Sequence, residues 1–220
     1  MKYLTSIWAS FAIVFLIICV RIVDPQLLEQ LRLNTFDQYI QTLPEQKSED
    51  IVLIHIGEES LETYGQFPWP RQEDAHMIYT LRNANAGMIV FSIMFPEEDR
   101  FNGDNTLAEY MDGNGVILAQ DADEYGRSKT APYVGYATFG PGDPMDFIYK
   151  YKGLVSNIDI LEEKAWGVGL VNGAPEVDNI TRRIPLVSQI NGQLYPSLAL
   201  ETVRVIQDKL SYTIKTPETG

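Results

Sequence analysis

Apolar residues occur along the chain as one long run near the N-terminus, followed by several short runs. The long run extends from Tyr3 to Val20, 18 residues without a charge, between Lys2 and Arg21. It is just long enough to cross a bilayer as a helix. A cleaved signal peptide usually has a shorter apolar core and a small-x-small cleavage site, and no such site follows here. The pattern therefore predicts an uncleaved transmembrane signal anchor over residues 1–23.

Residues 24–44 continue with apolar side chains at helical spacing, among them Leu31 and Ile40. This spacing predicts a helix that leads from the membrane to a folded domain and ends near Pro44. A Met-Lys start followed by an anchor directs the rest of the chain outward. Residues 45–220 are therefore predicted to form an extracytoplasmic domain.

Three short and continuous apolar runs follow, IVLIHIG at 51–57, MIVFSIMF at 88–95 and GVILAQ at 115–120. Their β-branched composition predicts buried strands. Helical patterns separate the runs: EESLETYG, stopped by Gly65, then an amphipathic segment ending at Gly87, and then NTLAEYMDGN. Strands alternating with helices predict right-handed βαβ units in a parallel sheet.

The pattern changes after the third run. Residues 121–147 are rich in Gly, Pro and Asp and predict a long excursion with one strand at most. The segments 166–173 and 181–192 are predicted to be paired strands joined by a turn. A final helix then precedes a strand at 211–215, and its predicted inward residues are Leu198, Thr202, Val205 and Ile206.

These elements together define the predicted fold class. It is an α/β domain with a mostly parallel, three-layer-like sheet, βαβ units and an added antiparallel strand pair, preceded by one transmembrane helix. Because the chain stops just after a predicted strand, with the residues TPETG, the domain over 45–220 is expected to be truncated at its C-terminus.

Charge excludes one class of partner. The chain has 17 basic and 30 acidic residues, a formal net charge of −13. Without Lys2, 16 basic residues stand against the same 30 acidic ones, so residues 21–220 carry −14. A charge of this sign repels the phosphates of nucleic acid, so no nucleic-acid partner is expected. The only cysteine, Cys19, lies in the predicted anchor, so the soluble part has no disulfide.

No motif for a cofactor, a metal or catalysis is complete. GVGLVNG at 167–173 lacks the third glycine of a dinucleotide-binding turn. DADEYG at 121–126 fails as a calcium loop, because Tyr125 and Pro132 stand where oxygen ligands are needed. The acidic loop at 96–104 is typical of solvated surface charge. We therefore predict no cofactor, no metal site and no catalytic residues.

The carboxyl ends of parallel strands are where ligands bind in α/β sheets. Glu58 follows the first predicted strand and Glu97 follows the second. Between them, the stiff loop GQFPWPR offers Phe67 and Trp69 as stacking faces and Arg71 at a helix start, where backbone amides favour an anion. The alternative is that the aromatic rings pack against the domain and Arg71 pairs with Glu58 or Glu97.

The order of these features resembles the type-two CHASE domain. The hallmark of that family is similar to I-D-x-x-S-L-x-x-x-G-x-W-P-W-P-R, which this chain matches at Ser60, Leu61, Gly65, Pro68, Trp69, Pro70 and Arg71. GLVNGAPEVDNITRRIPL also resembles a later family motif, at Asn172, Asp178, Arg182 or Arg183, Pro185 and Leu186. The resemblance extends from about Phe36 to Leu210. Glu58 and Ser92 lie where the family usually carries aspartates, and the resemblance adds Ser92 to the candidate ligand residues.

The resemblance implies a function. It predicts the extracytoplasmic sensory domain of a bacterial transmembrane receptor in the inner membrane. Such a domain would sense a small-molecule or protein stimulus and relay it to a cyclase or kinase effector absent from this chain. A homodimer is a possible assembly of such a receptor.

Two other classes of function stay open at this stage. One is a membrane-anchored, metal-dependent hydrolase that uses His55, His76 and the acids at 97–99. The other is a scaffold or dimerisation module without a small ligand.

Overall fold

A computed structural model describes residues 7–45, 47–126, 134–173 and 175–216. The described chain forms two compact units, Met1–His55 with Pro175–Arg182, and Ile56–Ala174 with Arg183–Gly220. They are called here the lead unit and the sheet unit. Residues 127–133, which belong to the predicted excursion, lie outside the described residues. So do residues 217–220, where the domain is predicted to be truncated.

The lead unit contains two helices, α1 (Ile7–Val23) and α2 (Gln26–Gln41). They meet at an 85° bend, because Asp24 adopts a left-handed φ of 42° and Pro25 cannot continue the hydrogen-bonding pattern of α1. Over the described residues, no single helix is both long and apolar enough to cross a bilayer, whereas α1 and α2 pass that test together across the bend. The anchor over residues 1–23 stays a prediction, and its first six residues are not described.

The predicted strand at 51–57 is wrong. None of these residues is in a strand, and Ile51, Val52 and Leu53 are 76, 82 and 91% exposed. The run has the composition of a buried strand, but β-propensity expresses a fit to a neighbouring strand rather than an intrinsic backbone preference. Among the described strands, none pairs with this run.

The described residues of the sheet unit form five α-helices: α3 (Glu58–Tyr64), α4 (Arg71–Asn83), α5 (Asp104–Met111), α6 (Asp159–Glu162) and α7 (Leu198–Ile206). The predicted helix before Gly65 is confirmed, and Gly65 ends it with a positive φ of 84°. The amphipathic helix is also confirmed, but it ends earlier than predicted. Asn85 takes the left-handed conformation, two residues before Gly87.

The main sheet is mixed. Strand β1 (Ile89–Phe91) pairs in parallel with β2 (Val116–Asp123), which confirms the predicted parallel pairing of the second and third runs. On its other side β2 pairs in parallel with β6 (Gly167–Leu170). The end of β2 also pairs with β5 (Gly153–Val155), in antiparallel orientation.

Helices cover both faces of this sheet. Val116 and Leu118 on one face pack in a buried cluster with residues of α4, α5 and α6. The other face carries Gly167 and Gly169 of β6, against which α7 lies. A Cβ on Gly169 would stand 2.4 Å from the Cα of Leu198, so only glycine allows the helix to come this close.

Two smaller sheets complete the unit. Strand β3 (Tyr136–Phe139) pairs in parallel with β9 (Tyr212–Lys215), the last predicted strand. Strand β7 (Val187–Ile190) lies between β4 (Tyr149–Tyr151) and β8 (Gln193–Pro196), parallel to the first and antiparallel to the second.

The predicted antiparallel pairing of 166–173 with 181–192 is therefore wrong. The residues of 166–173 that form β6 pair with β2, and β7 instead forms a two-residue hairpin with β8. Asn191 and Gly192 make the turn with φ values of 51° and 80°, as a type I′ turn requires. The Asn-Gly dipeptide is a strong hairpin signal, and it identifies the true partner.

The predicted inward face of α7 is confirmed in part, since Leu198, Thr202 and Val205 are half-buried. Ile206 is 62% exposed, whereas Glu201 is buried against the sheet. The Glu201 carboxylate accepts hydrogen bonds from the guanidinium of Arg204 and the hydroxyl of Tyr212, and these bonds offset the cost of burying a charge. An apolar count along the helix could not anticipate an internal carboxylate.

We expect Gly169→Ala to lower the free energy of unfolding by about 1–3 kcal/mol, because the new methyl group would collide with the backbone of α7. Chemical denaturation of the full chain in detergent measures the change. Gly87→Ala is the matched control, since a Cβ at Gly87 would meet nothing within 4 Å. If both variants unfold at the same denaturant concentration as the parent, the close packing of α7 on β6 is refuted.

Candidate functional site

The loop GQFPWPR joins α3 to α4 and places Arg71 at the first position of α4. Pro70 precedes the helix with φ −56° and ψ 144°, an extended conformation that suits the residue before a helix start. The peptide bond between Phe67 and Pro68 is cis. Trp69 and Arg71 flank Pro70, and their side chains lie in different environments.

Trp69 packs within its own segment. Its indole N–H donates to the carbonyl oxygen of Gly65 at 2.9 Å. Its ring lies 5.4 Å from that of Tyr64 and 5.8 Å from that of Phe67, in tilted and edge-to-face arrangements that aromatic pairs prefer. The three rings form a small aromatic cluster that holds the loop against the end of α3. Phe67 and Trp69 are half-buried, so each keeps part of its surface available.

Arg71 is turned inward, with only 12% of its side chain exposed. Its guanidinium carbon lies 4.4 Å from the centre of the Phe95 ring, within cation–π range. Its Nε is 3.5 Å from a carboxylate oxygen of Asp104, and one terminal nitrogen is 3.9 Å from Asp74. The other terminal nitrogen donates to the backbone carbonyl of Glu97 at 3.5 Å. Arg71 therefore binds the carbonyl, not the carboxylate, of Glu97.

The loop 96–104 folds over the start of α4. Asp99 accepts hydrogen bonds from the backbone N–H groups of Arg71 and Gly103, at 3.4 and 2.9 Å, and its own N–H donates to Asp104 at 2.8 Å. A Cβ at Gly103 would lie 2.8 Å from the Cβ of Arg71, so the two segments meet here without room for a side chain. The prediction of solvated charge is therefore wrong for Asp99 and Asp104, which are partly buried.

Asp74, one turn into α4, is the most buried acid of this group and is 2% exposed. One of its carboxylate oxygens has no hydrogen-bond partner among the described residues. Burial raises the pKa of the Asp74 carboxyl to about 6, against the opposing effect of Arg71. We call Arg71, Asp74, Asp99 and Asp104 the Arg71 cluster. Sequence reasoning found Arg71 and treated Asp99 and Asp104 as acids of the loop 96–104, not as partners of Arg71. It missed Asp74, although Arg71 and Asp74 stand three residues apart on one helical face.

A cavity of about 460 Å³ lies beside the Arg71 cluster and shares Asp104 with it. Acidic, amide and aliphatic side chains line it: Glu98, Asn102, Asp104, Asn105, Ile158, Asp159 and Ile160. None of the ligand residues predicted from the sequence lines this cavity, whereas Glu98, one of the acids of the hydrolase hypothesis, does.

The other predicted ligand residues contribute no side chain to the hydrogen bonds and ion pairs of Arg71. Glu58 at the start of α3 and Ser92 just after β1 are exposed, and neither appears among the hydrogen bonds or ion pairs that the structure gives Arg71. The alternative pairing of Arg71 with Glu58 is not what the structure shows. The side chain of Glu97 is also exposed, so it stays accessible near the loop.

The histidine and acidic side chains that the structure describes do not gather into a metal site. Within the described ranges, no group of three or more His, Cys, Asp or Glu side chains could hold a metal ion. His55 and His76, the residues of the hydrolase hypothesis, are both exposed.

Two asparagines, the buried Asn157 and the half-buried Asn172, bond the backbone near the carboxyl ends of the strands. The Asn157 side chain accepts from the backbone N–H of Phe95 at 2.7 Å and donates to the carbonyl of Ala119 at 2.9 Å. Asn172 does the same to both backbone groups of Ala122. Asn172 was identified by its motif, whereas Asn157 carries no sequence signal because its environment looks like an ordinary loop.

A second arginine centre lies in the lead unit. Arg182 donates to both carboxylate oxygens of Asp37 on α2, at 2.7 and 2.6 Å, in the two-pronged geometry that a guanidinium favours. It also bonds Asp178 at 2.7 Å and Glu176 at 3.1 Å, and 6% of its side chain is exposed. We call these four residues the Arg182 cluster.

Asp37 and Asp178 of the Arg182 cluster both have pKa values below the ordinary value of an aspartate. Hydrogen bonds from Arg182 lower the pKa of Asp178 to about 2 and also lower the pKa of Asp37. A carboxyl with a depressed folded pKa stabilises the fold above its unfolded value of 3.8 and loses that effect only as the pH falls through the folded pKa. Mild acid therefore leaves this cluster intact.

We expect Trp69→Ala to destabilise the sheet unit by about 1–3 kcal/mol, because it removes a half-buried ring, two aromatic contacts and a hydrogen bond. Thermal unfolding of the full chain in detergent measures this. Trp69→Phe keeps a ring and loses only the N–H donor, so we expect it to cost less than about 1.5 kcal/mol. An alanine variant that melts with the parent would show that the ring does not hold the loop.

Arg182→Lys should lower the melting temperature by several degrees, since an ammonium group cannot reproduce the two parallel bonds to Asp37. The control is Lys47→Ala, which removes an exposed ion pair to Glu45 and should leave melting unchanged. If the lysine variant and the parent have the same melting temperature, Arg182 does not hold α2 to the segment 175–182.

Comparison with known proteins identifies a family. The family model of the CHASE2 domain matches residues 12–219, nearly the whole chain, whereas no curated protein and no solved structure gives a significant match. CHASE2 domains are extracellular sensory domains associated with signalling receptors and are not catalytic. The resemblance read from the proline-aromatic loop and the later Asn–Asp–Arg motif is therefore confirmed, and the protein belongs to the CHASE2 domain family.

Proposed function

We propose that this chain is the sensory part of a bacterial transmembrane receptor, with the sheet unit outside the cytoplasmic membrane. Residues 1–23 would anchor it in the inner membrane and α2 would lead from the anchor to the sensory domain. The match of the CHASE2 family over residues 12–219 is the observation that carries this proposal. The Met-Lys start before the uncharged run supports the orientation.

The Arg182 cluster supplies a physical route for the relay. Asp37 lies on α2, while Glu176, Asp178 and Arg182 lie on a segment whose two ends continue directly into the chain of the sheet unit. A displacement of that segment would move α2 through the two short charge-assisted bonds from Arg182 to Asp37. The stimulus, a small molecule or a protein, would act by favouring one of two arrangements.

The remaining parts of the receptor follow from the same proposal. A cyclase or kinase effector outside these 220 residues would receive the signal. A homodimer would let two lead helices move against each other. The hydrolase and scaffold hypotheses gain no observation from the described residues, and the family is not catalytic.

Topology tests the proposal. We expect alkaline phosphatase fused after Gly220 to be active in a Gram-negative host, because this enzyme folds only outside the cytoplasm, and green fluorescent protein at the same site to be dark. The same fusions lacking residues 1–23 are the control and should show the reverse pattern, since the predicted anchor is then missing. A fluorescent fusion of the full chain with an inactive phosphatase would place the domain in the cytoplasm and end the receptor hypothesis.

A further inference from the structure

The Arg71 cluster contains more acid than its one base can neutralise. Arg71 stands near three carboxylates, on α4 (Asp74), on the loop 96–104 (Asp99) and at the start of α5 (Asp104). With one positive and three negative groups the cluster carries a formal charge of −2 when all are ionised. Such an excess is costly where water is largely excluded, because like charges repel and each loses hydration.

Asp74 carries the largest share of this cost. It is buried, one oxygen lacks a hydrogen-bond partner among the described residues, and its distance to Arg71, 3.9 Å, is too long for a hydrogen bond. The charged groups that face it are Arg71 and Glu73 of α4 and Asp99 of the loop, with Asp104 of α5 reached through Arg71. Asp99, by contrast, accepts two backbone N–H groups.

We propose that the Arg71 cluster is a proton-operated switch. A proton bound by Asp74 removes the attraction between Asp74 and Arg71, and leaves the guanidinium to Asp104 and the carbonyl of Glu97. Acidification therefore moves the guanidinium of Arg71 away from Asp74 and toward Asp104 and the carbonyl of Glu97. The switch deepens the proposed receptor function by naming a stimulus, and it depends on that function only for its biological use.

The direction of the titration supports this behaviour. Burial raises the pKa of Asp74 from 3.8 to about 6. An acid whose folded pKa exceeds its unfolded pKa binds its proton more tightly when folded, so the folded state gains stability as the pH falls from above 6 toward 4. In the same pH range Asp178 of the Arg182 cluster keeps its charge, because its pKa is about 2.

A movement of the Arg71 guanidinium would affect two neighbouring features. Trp69, two residues before Arg71, belongs to the aromatic cluster that holds the GQFPWPR loop. Asp104 lines the adjacent cavity, so a tighter hold by Arg71 changes one wall of it. The indole of Trp69 therefore serves as a built-in reporter of the state of Asp74.

Trp69 fluorescence against pH tests the proposal. The full chain is placed in lipid nanodiscs with Trp8→Phe and Trp166→Phe, so that Trp69 is the only tryptophan left of three. We expect a single-proton transition centred near pH 6. Asp74→Asn, which resembles the protonated acid, should abolish it and show the parent's acid-form spectrum at pH 8. Glu73→Gln removes an exposed negative charge beside Asp74, so it should keep the transition and move its midpoint to a slightly lower pH.

Other outcomes would overturn the switch. If the transition persists in Asp74→Asn, Asp74 does not move Arg71. The same conclusion follows if the protein with Trp69 as its single tryptophan shows no transition. Should the asparagine variant fail to fold, urea unfolding of the parent decides instead: its midpoint must fall as the pH rises from 5 to 7.5, and a flat or rising midpoint refutes the proposal. A transition in a protein whose topology proves cytoplasmic would sink only the receptor function, not the switch.

Discussion

A single buried guanidinium organises the part of the molecule that identifies it. Pro70 sets the start of α4, so Arg71 enters the domain rather than the solvent, and the loop 96–104 must then close over it without a side chain at Gly103. Once Arg71 is inside, carboxylates have to accompany it, because an unpaired charge in the interior costs several kcal/mol. Three acids from three segments meet that need.

The two arginine centres use the same chemistry with opposite consequences for protons. Asp37 and Asp178 bond Arg182 directly at short distances, which holds their pKa values low and fixes the charge of the Arg182 cluster. Asp74 is deeply buried and only loosely engaged by Arg71, so its pKa rises. Short bonds favour a permanent link and a long one favours a group that titrates, which suits a relay and a sensor respectively.

Sequence reasoning succeeded where the signal is local. The helix starts, the stop at Gly65 and the parallel pairing of 88–95 with 115–120 follow from periodicity, glycine and connection length. It failed for the run at 51–57, which has the composition of a strand but no paired neighbour among the described strands. It also failed to pair the segment at 181–192, although the turn at Asn191 and Gly192 carried the information.

The sequence alone determined the family, the α/β class and the importance of the GQFPWPR loop, because prolines, glycines and apolar spacing act on their immediate neighbours. Only the tertiary structure decided what that loop does: its tryptophan holds the loop, and its arginine faces acids 3 to 33 positions away along the chain. It also decided that Asp74 is buried, which raises its pKa to about 6. Partner choice and burial are properties of the folded chain, since they depend on which distant segments exclude water together.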